Sequence, residues 1–160
     1  MKKFYITTPI YYVNDTPHIG HAYTTILADV IARYNRNNNS EVFFLTGLDE
    51  HGQKVEQAAK KLGIDPKEHC DKMAPRFLKL WDKLNISYDG FIRTTNKKHI
   101  EVVKDILNIV YKNGDIYKDE YVGLYSISEE RFITEKEADS GDFRDIKKLK
   151  EINYFFKMSK

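Results

Sequence analysis

Residues 41–46 read Glu41-Val42-Phe43-Phe44-Leu45-Thr46, and this run decides the fold. Its unbroken apolar centre is the pattern of a parallel strand buried on both faces. Upstream, Ile19, Tyr23, Ile26, Leu27, Val30, Ile31 and Tyr34 recur at spacings of three and four. That is one apolar helix face, and it runs out at Asn37-Asn38-Asn39. Asn14-Asp15-Thr16-Pro17 opens the helix, with Asp15 or Thr16 as the cap and Pro17 suited to the first helical position. Earlier still, Phe4-Tyr5-Ile6-Thr7-Thr8 is rich in β-branched and aromatic residues and reads as a strand ended by Pro9. Strand, long helix, strand is a βαβ unit, so the class is α/β with a parallel sheet.

Downstream, residues 52–62 and 66–84 read as helices broken at Gly63-Ile64-Asp65-Pro66. Phe91-Ile92-Arg93 is a third short strand. Residues 97–112 form an amphipathic helix with Ile100, Val103, Ile106, Leu107 and Val110 on one face. After Gly114 the character changes. Ile116-Tyr117, Tyr121-Val122 and residues 124–127 are short β-like pieces, followed by a charged stretch over 129–151 and then Tyr154-Phe155-Phe156. The expected organisation is two domains, 1–114 and 115–160, the second a small β-rich module.

The chain has 160 residues, 41% of them apolar and 31% charged, which is ordinary for a globular protein. A net charge of +2 does not mark a nucleic-acid binder by itself. The single cysteine, Cys70, excludes an internal disulfide and a four-cysteine zinc site. Nothing near it lowers a thiol pKa, so it reads as a bystander. No apolar run approaches the ~18 residues of a membrane span, and the N-terminus lacks a cleavage site, so a cytoplasmic location is expected.

His18-Ile19-Gly20-His21 falls at the start of the first helix, just after the first strand. Helix N-termini carry unpaired N–H groups and positive dipole ends, which favour phosphate. Imidazoles three apart share one side of the turn and can donate to phosphate oxygens as charge develops. Gly20 lets a flat ring or phosphate approach the backbone. Histidines that merely cap the helix or face solvent are the alternative. A metal site is disfavoured because no third ligand lies nearby. Asp49, in Asp49-Glu50-His51-Gly52, suits either an ammonium or ribose hydroxyl or the cap of the following helix. Tyr11-Tyr12 suits either a pocket wall or the core.

Residues 7–23, Thr7-Thr8-Pro9-Ile10-Tyr11-Tyr12-Val13-Asn14-Asp15-Thr16-Pro17-His18-Ile19-Gly20-His21-Ala22-Tyr23, resemble the opening of the bacterial methionyl-tRNA synthetases. So do Phe43-Phe44-Leu45-Thr46-Gly47-Leu48-Asp49-Glu50-His51-Gly52, Phe91-Ile92-Arg93-Thr94-Thr95, Gly114-Asp115-Ile116-Tyr117 and Asn153-Tyr154-Phe155-Phe156. The resemblance implies a Rossmann-like class I synthetase sheet, here its first half, followed by a connective, knuckle-like module. It implies activation of methionine by ATP, accompanied by Mg2+, to methionyl-adenylate, then transfer to tRNA(Met). His18 and His21 are the implied catalytic pair. His18, Gly20 and His21 are implied to bind ATP, with Gly20 against the adenine. Ile10, Tyr12 and Asp49 are implied to bind methionine, Asp49 through its ammonium. The other class kept open is a non-catalytic module, derived from such a synthetase, that binds nucleotide, amino acid or RNA.

Two features depart from the family pattern. Relatives with a zinc knuckle carry a C-x-x-C pair where this chain has Ser126 and Glu129, and residues 140–152 hold no cysteine or histidine. Serine and glutamate do not replace thiolates in a structural zinc site, so no zinc is expected. The ending Lys157-Met158-Ser159-Lys160 looks like the start of the family's lysine signature. Its context, after Tyr154-Phe155-Phe156, fits the return of the small module instead. The chain is therefore expected to be the front part of a longer ligase, inactive alone.

Overall fold

A computed structural model describes residues 1–143 and 145–159. The chain forms two compact units, Met1–Glu101 and Val102–Lys160. The first unit holds β1 (Lys3–Tyr12), α1 (Ile19–Asn37), β2 (Glu41–Asp49), α2 (Gln53–Lys61), α3 (Pro66–Lys83) and β3 (Gly90–Arg93). The sheet order is β1-β2-β3, and both pairings are parallel. Residues 44, 46, 47 and 48 of β2 are buried, as expected for a central strand.

β1 differs from the expectation. Pro9 does not end it; the strand continues to Tyr12, with a register shift between Thr7 and Ile10. Proline lacks a ladder donor, and an irregularity of this kind is where a strand tolerates it. The extension carries Tyr12 level with Asp49 of β2.

The face of α1 also differs. The buried residues are Thr25, Ala28, Asp29 and Ala32. Small side chains let the helix lie close on β1 and β2, and Ala28 and Ala32 pack with Phe44. The large apolar residues Ile19, Tyr23, Leu27, Val30 and Tyr34 are exposed on this chain. Asp29 accepts from Ser87 N–H at 2.7 Å and Ser87 Oγ at 2.6 Å, tying α1 to the segment before β3.

A second buried cluster joins Tyr11, Val13, Leu48, Val55, Cys70, Met73, Phe77 and Trp81 from β1 and the loop after it, β2, α2 and α3. α3 starts on Asp65, which accepts from Lys67 N–H at 2.8 Å, with Pro66 in the first turn. Burial first, then the Glu50 carboxylate, push the Cys70 thiol up to about 11, so it stays protonated.

In the second unit α4 (Lys97–Lys112), which begins in the first, leads to β4 (Ile116–Ser126), β5 (Arg131–Ile133), α5 (Glu135–Asp139) and β6 (Ile146–Phe156). No α4 residue is buried. The sheet is antiparallel, in the order β5-β4-β6. Residues 146–151, the end of the stretch read from the sequence only as charged, are the first half of β6. β6 pairs with β4 over eleven residues, from Ile116↔Phe156 to Ser126↔Ile146. Lysines at 147, 148 and 150 are exposed there, so charge does not oppose the pairing. Tyr121 and Tyr125 of β4 meet Phe132 of β5 edge-on, at 4.5 and 5.2 Å.

Gly47 permits the contact of β2 with β3, since a Cβ there would run into the Ile92 carbonyl. Gly47→Ala is expected to destabilise the protein by about 1–3 kcal/mol, the usual range for overpacking, read as a lowered midpoint in thermal or urea unfolding.

Candidate functional site

The carboxyl end of β1, the loop after it and the first turn of α1 converge on one cleft of about 490 Å³. Ile10, Tyr11, Tyr12, Asn14, Asp15, Thr16, His18 and His21 line it. The sequence-derived residues Ile10, Tyr12, His18 and His21 are thus brought together. Asp49 is the register partner of Tyr12 at the end of the neighbouring strand. Gly20 lies between the two histidines in the helix turn.

The start of α1 is not capped by Asp15 or Thr16. Asp15 instead accepts from Thr16 N–H at 2.6 Å. The N-cap is His18, whose backbone is extended. Gly20 N–H donates to His18 Nδ1 at 3.1 Å, and His18 N–H donates to His21 Nδ1 at 3.1 Å. The two imidazoles form a reciprocal capping box, the role usually filled by Ser/Thr and Glu/Gln. Their rings stack at 3.9 Å with 28° between planes. Capping therefore does not exclude a site role. With Nδ1 of each ring accepting, each neutral ring carries its proton on Nε2, away from the cap. The pair presents two N–H donors on its outer edge. A Cβ at position 20 would stand 3.0 and 3.1 Å from the His18 ring, so the glycine preserves the cap.

His21 is held from beneath. Tyr11 meets it edge-on at 4.9 Å, and Phe77 lies tilted against it at 5.4 Å. Tyr11 is buried, and its hydroxyl pairs with Thr25 Oγ1 at 2.9 Å. Thr25 Oγ1 in turn donates to the His21 carbonyl at 2.9 Å. Of the tyrosine pair, Tyr11 is thus core and support, while Tyr12 is exposed, with Lys54 Nζ 5.8 Å from its ring centre. Burial first, and then the charge of His18, lower the pKa of His21 below its ordinary 6.5.

Asp49 does not cap α2. That helix starts at Gly52, with no side-chain cap. The Asp49 carboxylate instead accepts from His51 N–H at 3.3 Å. Composition and spacing passed over four supports. Buried His69 has Nε2 2.8 Å from the Val13 carbonyl and fastens the loop before α1. Phe77 supports His21. Glu50 and Arg93 pair at 2.6 Å beside Asp49. These are long-range contacts with no local signature, though Glu50 and Arg93 stand within phrases that resemble the family.

In the second unit Ser126, read from the sequence as standing where the family pattern has a knuckle cysteine, is buried. Its Oγ accepts from Glu129 N–H at 3.3 Å and lies 3.1 Å from Ser128 Oγ. The turn is closed by hydroxyl hydrogen bonds. Among the described residues no three His, Cys, Asp or Glu side chains are grouped to hold a metal ion. Of the lysine-signature-like ending, Lys157 Nζ donates to the Gly114 carbonyl at 2.7 Å and Met158 is exposed. Lys160 lies outside the described residues.

A parallel sheet with a helix N-terminus at its carboxyl ends is the arrangement of nucleotide-binding α/β proteins. The family described as tRNA synthetases class I (M) matches residues 4–141, and the chain belongs to that family. The methionine–tRNA ligase of Fusobacterium nucleatum is 54% identical over 164 residues, which cover 99% of this chain and 26% of that protein. That of Campylobacter jejuni is 52% identical, over 98% of this chain and 26% of that protein. The Mycobacterium tuberculosis methionyl-tRNA synthetase in complex with methionyl-adenylate superposes with a TM-score of 0.92 at 41% identity, covering 99% of this chain and 33% of that one. The fold is accordingly the Rossmann-like one of class I synthetases. The chain spans about a quarter of the length of the curated relatives it matches.

The cap sets a pH response. Protonated His21 cannot accept at Nδ1, and its folded pKa lies below 6.5. Its contribution to stability is complete above pH 6.5 and is lost as pH falls through the lowered pKa. His21→Gln keeps an acceptor but cannot titrate. The thermal midpoint of the wild type should fall more between about pH 7 and 5 than that of His21→Gln, measured by circular dichroism.

Proposed function

We propose that this chain is the nucleotide- and methionine-handling front part of a methionine–tRNA ligase that makes methionyl-adenylate and then methionyl-tRNA(Met). The observation that carries it is the His18–His21 reciprocal cap at the mouth of a cleft shared with Ile10 and Tyr12. ATP would enter with its phosphates toward the two Nε2–H edges and its adenine against Gly20. Methionine would lie between Ile10 and Tyr12, its ammonium on Asp49. Attack of the methionine carboxylate on the α-phosphate puts extra negative charge on the phosphate oxygens. Donors already oriented by a cap strengthen as that charge grows and need no reorganisation. Mg2+ comes as part of the nucleotide substrate.

The family membership and the likeness to methionine–tRNA ligases support this assignment of substrates and of tRNA(Met) as partner. No helix among the described residues is long and apolar enough to cross a membrane, which is consistent with the proposed cytoplasmic location. We assign residues 1–114 to the catalytic half-fold and 115–160 to the connective insert. The exposed apolar face of α1 and the open edge of β1 fit a fold continued by further chain.

Pyrophosphate exchange into ATP tests the function. The full-length protein should exchange with methionine and not with other amino acids, and the 160-residue chain alone should show negligible exchange. His18→Ala and His21→Ala should each lower the full-length rate about 10²–10³-fold, as loss of one transition-state donor does. Exchange driven by another amino acid would reject methionine as substrate.

The serine-closed turn is proposed to take the place of a zinc knuckle. Elemental analysis of the purified protein should find zinc well below one per chain, and a chelator should leave the thermal midpoint unchanged.

A further inference from the structure

We propose that the buried Glu50–Arg93 ion pair orients Asp49 toward the substrate ammonium, which makes Arg93 a positioning residue of the amino-acid site. This rests on Asp49 being the ammonium partner.

Asp49 and Glu50 are consecutive carboxylates at the end of the central strand, yet they meet different surroundings. The Glu50 side chain is fully buried, and that of Arg93 is 22% exposed. Every polar group of Glu50 is engaged: Oε1 by Arg93 Nε at 2.6 Å, Oε2 by the Thr95 hydroxyl, N–H by Thr94 Oγ1 at 2.9 Å, and the carbonyl by the Cys70 thiol at 3.8 Å. Arg93 is the register partner of Leu48 on β3, and its second arm donates to Asp71 at 2.6 Å. Asp71 is held in turn by Lys67 at 2.6 Å.

Glu50 cannot turn without breaking these bonds, so the peptide joining it to Asp49 is fixed. Asp49 itself is only half-buried, with the 3.3 Å contact from His51 N–H. Charge follows the same division. A bare buried Glu50 carboxylate would be costly and would compete with Asp49 for a cation. Arg93 neutralises Glu50 and leaves Asp49 to accept an ammonium. The planar guanidinium reaches Glu50 and Asp71 with different nitrogens, a geometry the single ammonium of lysine does not reproduce.

The test uses the full-length ligase with Glu50→Gln and Arg93→Lys, both close to the native volume. KM for methionine and for ATP are measured separately by pyrophosphate exchange. Inhibition constants are taken for methioninol, which keeps the ammonium, and for 4-(methylthio)butan-1-ol, which lacks it. Methionine KM should rise about tenfold or more, with ATP KM within about twofold, the signature of a lost ground-state contact to one substrate. Methioninol should weaken by the same factor and the desamino alcohol should not. Equal rises in both KM values, equal weakening of both inhibitors, or no change overturns the proposal. If either variant melts below the assay temperature, Thr95→Val, which removes one bond to Glu50, carries the same expectations. Asp49→Asn separates the two levels. If it leaves methionine KM unchanged, the ammonium assignment fails. If it raises that KM while the Glu50 and Arg93 variants do not, only the positioning role fails.

Discussion

Parallel pairing of β1 with β2 is the constraint on which the rest of the first unit depends. In a parallel pair both strands end on the same side, so Tyr12 and Asp49 finish level. The connection between them must cross over as a helix, and that helix must begin beside those ends. The cap of α1, the cleft beside it and the position of Asp49 at the end of β2 all follow from this geometry. The register shift between Thr7 and Ile10, the segment that holds Pro9, matters for the same reason: β1 runs on past it far enough for Ile10 and Tyr12 to reach the cleft.

In the proposed function the two histidines would serve stability and chemistry together. Each ring spends its Nδ1 lone pair on a backbone N–H, which leaves the proton of the neutral ring on Nε2. The cap holds the tautomer, and Tyr11, Thr25 and Phe77 hold the ring. The Gly20 N–H, which helix-end arguments would offer to a phosphate, is already bound to His18. In the proposed site, anion recognition at this turn would therefore fall to the imidazole edges more than to that amide.

The α1 face illustrates a limit of periodicity. The spacing of Ile19, Tyr23, Ile26, Leu27, Val30, Ile31 and Tyr34 identifies a helix, and a helix is there. It does not say which face meets the sheet of this chain. Thr25, Ala28, Asp29 and Ala32 do so because small residues allow close approach, and because Thr25 and Asp29 find partners in Tyr11 and Ser87. Likewise the charged residues before Tyr154 hid the first half of β6, since Lys147, Lys148 and Lys150 are exposed and leave no strict apolar alternation.

From the sequence alone came the α/β class, the parallel βαβ unit, the position of the His18–His21 turn and, through its flanking phrases, the family. Those are properties of neighbours in the chain: turn residues, apolar runs and motif spacing. Only the tertiary structure decided that His18 is the cap, that Asp49 is not one, that Tyr11 is buried and Tyr12 is not, and that Glu50 is locked by Arg93. Each of these depends on which of several suitable local partners a group meets, and partners distant in the chain, as Arg93 is from Glu50, enter the competition only once the chain has folded.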